Sequence, residues 1–199
     1  MFQDLDSTVA ELLRSTLPTD LVGQVSISFA TPDGQFPPAS VNLPAIDLFL
    51  YALRENQDLR SNEPFFDRRG DGAVIRTPPP IRIDCHYLVT AWARASDSVN
   101  QDEHRLLGEV MAALARHREI PQGVLKGSMQ QQPFPLSCAI LRATTEQRGD
   151  FWQALGGKPR AAFDYRVTLA LAIGKPEDAG PLVKTVQAPI SLSPSPKDR

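Results

Sequence analysis

"IRIDCHYLVTAW", Ile81 to Trp92, is the clearest β-strand pattern in the chain. Its odd-numbered positions are apolar from Ile81 to Ala91. Successive side chains of a strand point to opposite faces of a sheet, so this pattern predicts one apolar face that packs on a core. The opposite face carries Arg82, Asp84, His86, Leu88, Thr90 and Trp92. We therefore expect a sheet with one buried face and one mostly polar face that is left for solvent or a partner.

Two amphipathic helices are predicted to cover the apolar face of that sheet. Residues 4–17 place leucine and valine at spacings of three and four, and Pro18 ends the segment. Residues 96–117 repeat the same apolar spacing. A shorter helix is expected over residues 150–157, where two closing glycines suit a helix C-terminus.

Further strands are predicted on both sides of Ile81–Trp92. They cover residues 24–30, 45–54, 137–143 and 161–173, with a weak strand at 123–127. Helices and sheet each have one apolar face, and burying both favours a two-layer α/β (α+β) fold. The predicted sheet is mainly antiparallel, has four or more strands and carries the two principal helices on one face. If 161–173 pairs with 81–92, opposite charges can face each other across the polar side.

The composition indicates a protein that can fold without a disulfide bond or a structural metal ion. The chain has 199 residues, of which 42% are apolar and 22% charged, so a core of ordinary size can form. The net charge of −2 argues against nucleic acid as a partner. No stretch is apolar enough for a membrane span and no signal peptide is visible, which favours cytoplasmic assembly. Cys85 and Cys138 are interpreted as small buried residues in a reducing compartment.

A change of composition near Gly174 predicts the domain organisation. Residues 1–173 form one domain in this interpretation, and the proline-rich residues 174–199 form a tail or arm. The tail has few large apolar side chains, so it cannot bury enough surface to fold alone.

The segment "LFLYALRENQDLRSN", Leu48 to Asn62, combines a strand apolar on both faces with a dense set of charges and amides. A long polar connection follows it up to Pro80, and a compact domain rarely keeps such a loop without a use for it. Charged and amide side chains at a strand end suit hydrogen bonding to another chain. The residues predicted to form an interface with another protein chain are Tyr51, Arg54, Glu55, Asn56, Arg60, Asn62, Arg68 and Arg69.

An active site is the alternative reading of the polar residues. Asp84 and His86 share one strand face, and Glu103, His104 and His117 lie on or beside the second helix. The chain contains none of the HExxH, CxxC, GxSxG or phosphate-loop patterns. We therefore expect a solvated charge network with no catalytic residue, metal or cofactor, and a protein that is not an enzyme.

Four segments resemble a known family in order and spacing. They are "LFLYALRENQDLR", "PPPIRIDCHYLVTAW", "EHRLLGEVMAAL" and "FWQALGGKPRAAFDYRVTLAL". Together they resemble the N-terminal domain of the cap, or tail-terminator, proteins of phage-tail-like contractile injection systems. The resemblance spans about residues 4–173.

That resemblance implies a structural function. Such proteins are α/β subunits that form a six-fold ring at the tail end distal to the baseplate. The ring ends polymerisation of the inner tube and sheath and anchors the last sheath ring. The implied partners are the chain itself, as a homohexamer, and the sheath and tube proteins. The implied location is a phage-tail-like particle, assembled in the cytoplasm and then retained or released.

The tail supplies a second hypothesis about partners. "PLVKTVQAPISL", Pro181 to Leu192, is interpreted as an arm that adds a strand to an open sheet edge of a neighbouring subunit or of a sheath subunit. Its predicted contact residues are Val183, Thr185, Val186, Ile190 and Leu192. Two alternatives to a ring-forming cap remain at this point: a monomeric adaptor of the same particle, and a small-ligand or metal-binding enzyme that uses the Asp84 and His86 face.

Overall fold

The strand predicted at Ile81 to Trp92 is the central strand of a five-stranded sheet. The structure is a computed structural model and describes residues 1–70, 73–141 and 148–181. The strands are β1 (Ser26–Ser28), β2 (Ala45–Glu55), β3 (Phe65–Arg68), β4 (Ala73–Thr77), β5 (Ile81–Trp92), β6 (Ser137–Leu141), β7 (Ala162–Leu171) and β8 (Glu177–Pro181). The α-helices are α1 (Phe2–Thr16), α2 (Thr19–Val22), α3 (Val99–Ala115) and α4 (Arg148–Ala154).

The large sheet is mainly antiparallel, as the sequence predicts. Its order is β1-β2-β5-β7-β6, and only β1 runs parallel to its neighbour. β7 pairs with β5 along ten residues, so the pairing that the sequence analysis considered as a condition is present. The register sets Asp84 opposite Thr168 and His86 opposite Arg166. The charged side chains of the two strands are therefore diagonal neighbours, one step away from the direct opposition that the sequence allowed.

The predicted helices α1 and α3 both pack on the apolar face of this sheet. The core joins their apolar stripes to the odd-numbered residues of β5 and β7. Tyr87 lies at its centre, with no exposed surface, and its hydroxyl donates a 2.7 Å hydrogen bond to Asp6 of α1. The helix layer is thus attached to the central strand by this partly buried hydrogen bond as well as by apolar packing.

A bulge in β2 corrects the predicted faces of that strand. The register with β5 shifts between Leu50 and Ala52, so one extra residue is accommodated there. Leu53 consequently pairs with Cys85 and lies on the helix side, whereas uninterrupted alternation had placed it on the other side with Tyr51. A bulge leaves no clear mark in the alternation of apolar residues, which is why the sequence did not reveal it.

Two local predictions have opposite outcomes. The weak strand at 123–127 is wrong, because that stretch contributes to two short 3-10 helices, Gln122–Val124 and Gly127–Gln131. The short helix ending in glycines is confirmed as α4. Gly156 has a φ of 68°, and the Gly157 amide bonds the Trp152 carbonyl, as expected for a glycine-terminated helix.

A second compact unit comprises Ser61–Pro80 together with the chain from Ala172 onward. Its described part is a three-stranded sheet in the order β3-β4-β8. The connection predicted after Asn62 is therefore largely a hairpin, β3 paired with β4. Its β-structure was missed because the two strands have only four and five residues and neither alternates apolar with polar positions. The start of the predicted tail, Glu177–Pro181, forms the third strand, while the five predicted arm residues lie outside the described residues.

A buried carboxyl group interrupts the apolar part of β2. Asp47 has no exposed surface, and its register partner on β1 is Ser28 and on β5 is Thr90. Burial raises the pKa of Asp47 to about 7, and neither of its carboxylate oxygens has a hydrogen-bond partner in the described part of the chain. The folded protein therefore holds a proton here that the unfolded chain releases at lower pH.

The first prediction concerns the pH dependence of stability. The unfolded carboxyl has its ordinary pKa of 3.8, so the folded state binds more protons between about pH 4 and pH 7. The free energy of unfolding should fall as pH rises through that window, by up to about 4 kcal/mol. Asp47→Asn should flatten this slope in urea titrations at pH 5 and pH 8, whereas Asp20→Asn, at an exposed position, should retain it. An unchanged slope in Asp47→Asn would show that the group is not the source.

Candidate interaction surface

The predicted interface residues fall into two parts of the structure. Tyr51, Arg54 and Glu55 lie at the end of β2, and Asn56 and Arg60 border the 3-10 turn Gln57–Leu59 that follows. The remaining three, Asn62, Arg68 and Arg69, belong to the second unit and are exposed. The first five residues therefore lie together. We call these five residues and the 3-10 turn Gln57–Leu59 the β2 turn.

Asn56 organises the β2 turn. Its side-chain oxygen accepts a hydrogen bond from the Leu59 amide at 3.2 Å, and its own amide donates to the Arg82 carbonyl at 2.8 Å. Its side-chain nitrogen lies 3.1 and 3.3 Å from the two carboxylate oxygens of Asp84. Asn56 is thus a fold-holding residue that fixes the turn to β5, a role that the sequence did not separate from surface binding.

Asp84 is held by three neighbours and is not available as a ligand. Besides Asn56, Thr168 donates a 2.6 Å hydrogen bond to it, and a nitrogen of Arg166 lies 3.5 Å away. The Asp84 side chain is only 11% exposed. The expected solvated charge network is therefore, at this position, a nearly buried and internally satisfied one.

His86 lies beside this network on the same sheet face. Burial lowers its pKa, and the charges of Arg54 and Arg166 oppose the pull of Asp84 and Asp164. Its ring centroid is 6.1 Å from that of Tyr51. Within residues 1–70, 73–141 and 148–181 no cluster of three or more His, Cys, Asp or Glu side chains is close enough to hold a metal ion.

The other candidates for acid–base chemistry are also separated from one another. The Glu103 carboxylate accepts a 2.8 Å hydrogen bond from the Arg160 guanidinium. That guanidinium also stacks 3.5 Å above the centroid of the Trp92 ring. His104 is exposed on α3, whereas His117 lies 3.3 Å from the Thr16 hydroxyl. These residues therefore form no shared site with Asp84 and His86.

The sheet face opposite the helices is less open than the sequence predicts. Phe36 stacks on Trp92 with ring centroids 4.2 Å apart, and Phe151 of α4 lies 5.6 Å from Tyr51. Thr90 has no exposed surface. The loop before β2 and helix α4 thus cover part of this face, and the end of β2 with its turn is left as the exposed polar region.

The exposed part of the β2 turn presents a mixed set of charges. Arg60 and Glu55 form a 3.6 Å ion pair, and the Arg60 side chain is 58% exposed. An exposed pair of this kind contributes little to stability, about 0–1 kcal/mol. Arg54 is exposed as well. The turn therefore carries charged groups that the fold itself does not require.

The chain matches the model of a known protein family. The family model of the Pvc16 N-terminal domain matches residues 4–185. The chain belongs to that family. Family membership confirms the resemblance inferred from the four sequence segments. No curated protein matches the chain's sequence.

Two solved structures share the fold of this Pvc16 N-terminal domain protein. The first is the sheath/tube terminator of PVC, an extracellular contractile injection system, in the extended state. Its TM-score is 0.70 at 23% identity, covering 99% of this chain and 65% of that one. The second is the tube-terminating cap of the anti-feeding prophage. Its TM-score is 0.62 at 21% identity, covering 94% of this chain and 60% of that one. The chain thus spans somewhat less than two thirds of either relative. In its described part, no helix is long and apolar enough to cross a membrane.

The second prediction separates fold-holding from surface residues in the β2 turn. Asn56→Ala removes one of the three groups that engage the nearly buried Asp84 carboxylate, and it removes the side-chain acceptor of the Leu59 amide. It should lower the free energy of unfolding by about 1–3 kcal/mol in urea titration. Asn62→Ala, at an exposed position, is the matched control and should change it by less than about 0.5 kcal/mol. Equal effects of the two substitutions would contradict the role assigned to Asn56.

Proposed function

We propose that this chain is a structural cap of a contractile injection system. In this role it binds the end of the inner tube and the last sheath ring and stops further polymerisation. The family match over residues 4–185 carries the proposal. The likeness to a sheath/tube terminator and to a tube-terminating cap supports it. Its partners are then the sheath and tube proteins of a phage-tail-like particle, which assembles in the cytoplasm.

The hydrogen bonds and ion pairs that the polar residues make within the chain favour this role over the enzyme alternative. The Asp84 carboxylate, which a ligand site would need, is engaged by Asn56, Thr168 and Arg166. Glu103 is likewise engaged by Arg160. We therefore take the polar groups of the sheet as supports of the fold and the exposed β2 turn as the part that meets other chains.

A homohexameric ring is the finer part of the proposal. A closed ring repeats one heterologous contact, in which two different surfaces of the same subunit meet. The exposed side chains of Arg54, Glu55 and Arg60 can donate or accept charge-assisted hydrogen bonds in such a contact. A monomeric adaptor would make no such contact, so association state separates the two.

The third prediction tests the ring. Arg54→Ala combined with Arg60→Ala removes two exposed cations without touching Asn56 or the core. The double variant should keep the wild-type melting temperature and yet remain monomeric in light scattering, at concentrations where wild type forms rings. Rings of unchanged stability in the double variant would remove the β2 turn from the subunit joint. A second double variant, Arg68→Ala with Arg69→Ala in the second unit, tests whether the other two predicted cations are needed for ring formation.

The fourth prediction tests capping and the arm together. In cells that produce the particle, loss of the whole chain should give tubes of irregular length and sheaths that detach, seen by electron microscopy. Truncation after Pro181 removes the proposed arm and retains β8, which pairs with β4. If the arm adds a strand to a neighbouring or sheath subunit, this truncation should weaken capping while the chain stays folded. Normal tail lengths in the full deletion would contradict capping, and normal capping by the truncated chain would contradict the arm alone.

A further inference from the structure

Leu59 is an exposed apolar residue in the middle of the polar β2 turn. Its side chain is 47% exposed, although the Asn56 side chain and carbonyl fix its amide. Arg54 and Arg60 lie on either side of it in the sequence and are exposed. Leu59 is therefore held on a hydrogen-bonded turn and presented to the outside among the exposed charges of Arg54, Asp58 and the Arg60–Glu55 pair, and it is not part of the core of its own unit.

A groove of about 270 Å³ opens on the same unit, between α2, α3 and the residue that precedes β2. α3 contributes one stripe of side chains to it at spacings of three, four and seven residues, because such residues share a helix face. Its floor is apolar and consists of Leu21, Val25, Pro44 and Leu106. A branched aliphatic side chain is of the right size and chemistry for such a floor.

The rim of this groove is acidic. Asp20, Asp102 and Glu109 line it, together with the single cation Arg105. Asp102 is fixed by hydrogen bonds from the hydroxyls of Ser96 and Ser98. The groove thus combines an apolar floor with an excess of negative charge, which suits an aliphatic side chain that has an exposed arginine, Arg54, on the same turn.

The turn and the groove lie at opposite ends of β5. The Asn56 amide bonds the carbonyl of Arg82 at the beginning of that strand, whereas Ala93, just after its end, lines the groove. At about 3.3 Å per residue, the two ends are roughly 35 Å apart. Two complementary surfaces on opposite ends of one subunit cannot meet within that subunit, but they can meet between successive copies.

We propose that Leu59 of one copy inserts into the groove floored by Leu21, Val25, Pro44 and Leu106 of the next copy. This inference rests on the proposed ring and names its contact. Arg54 and Arg60, the latter released from its exposed ion pair with Glu55, meet the carboxylates of the rim, and Arg105 supplies an opposite charge for Asp58 of the turn. An apolar anchor in a pocket with a polar rim is the usual arrangement of the strongest residues in an interface. Repetition of this head-to-tail contact around an axis closes a ring.

Disulfide trapping tests the contact directly. In cells that produce the particle, Leu59→Cys and Leu21→Cys variants carrying different tags are expressed together and oxidised. The native Cys85 and Cys138 are buried and give little background. The mixture should give a covalent mixed dimer, and a chain with both substitutions should give a ladder of oligomers. Each single variant alone should give none, because a heterologous contact never brings position 59 to position 59.

Two outcomes of the trapping overturn the proposal. One is a mixed dimer no more abundant than that from the control pair Met111→Cys with Leu21→Cys, in which Met111 is exposed on α3. The other is a dimer from Leu59→Cys alone, which would mean that the surface meets its own copy. Melting temperatures of all variants are measured so that a misfolded chain is replaced by the neighbouring choice, Val25→Cys.

Charge exchange supplies an independent second test. Arg54→Glu with Arg60→Glu, or Asp20→Lys with Glu109→Lys, should each weaken self-association about ten-fold or more, since like charges then face each other. An equal mixture of the two variants should associate again, because every contact in an alternating ring pairs opposite charges. Failure of the mixture to recover would overturn the proposed contact.

The two proposals fail in different ways. If trapping and charge exchange fail while loss of the chain still gives irregular tails, the cap function stands and this contact is wrong. If the contact is trapped but tails keep their length without the chain, the contact stands and the cap function is wrong.

Discussion

The fold depends on the continuous pairing of β5 along both of its edges. β2 and β7 are hydrogen-bonded to β5 over nearly its whole length. The register of each of these two long strands is therefore set by β5. Its odd-numbered residues then face α1 and α3, and the buried Tyr87 hydroxyl reaches Asp6. Its beginning holds the β2 turn through the Arg82 carbonyl, and Ala93, just beyond its end, lines the groove. Both surfaces proposed for assembly are therefore positioned by the same strand.

Long periodic segments carried most of what could be predicted about the fold. Ten to twelve residues of alternation identified β5 and β7, and apolar stripes identified α1 and α3, because burial of one face is visible in the sequence. Short elements were missed for a physical reason. β3 and β4 have only four or five residues, and the 3-10 helices around Val124 and Ser128 leave a similar apolar pattern to a weak strand.

The candidate surface was only partly predictable. The density of charges after Leu53 indicated the β2 turn, but sequence alone treated its residues alike. The structure separates Asn56, which binds the nearly buried Asp84, from Arg54 and Arg60, which are exposed. Leu59 was overlooked because one leucine among polar residues has no periodic pattern. The groove was also out of reach, since its lining comes from segments about eighty residues apart in the chain that only tertiary packing brings together.

We propose that this Pvc16 N-terminal domain protein works by docking to copies of itself and to a tubular polymer, and that is the central claim. Cryo-electron microscopy of particles that carry an epitope tag on this chain tests that claim most directly. The account predicts label at one end of each tail, distal to the baseplate, in a closed ring whose subunits meet through the β2 turn. Label spread along the sheath, or absent from purified particles, would contradict it.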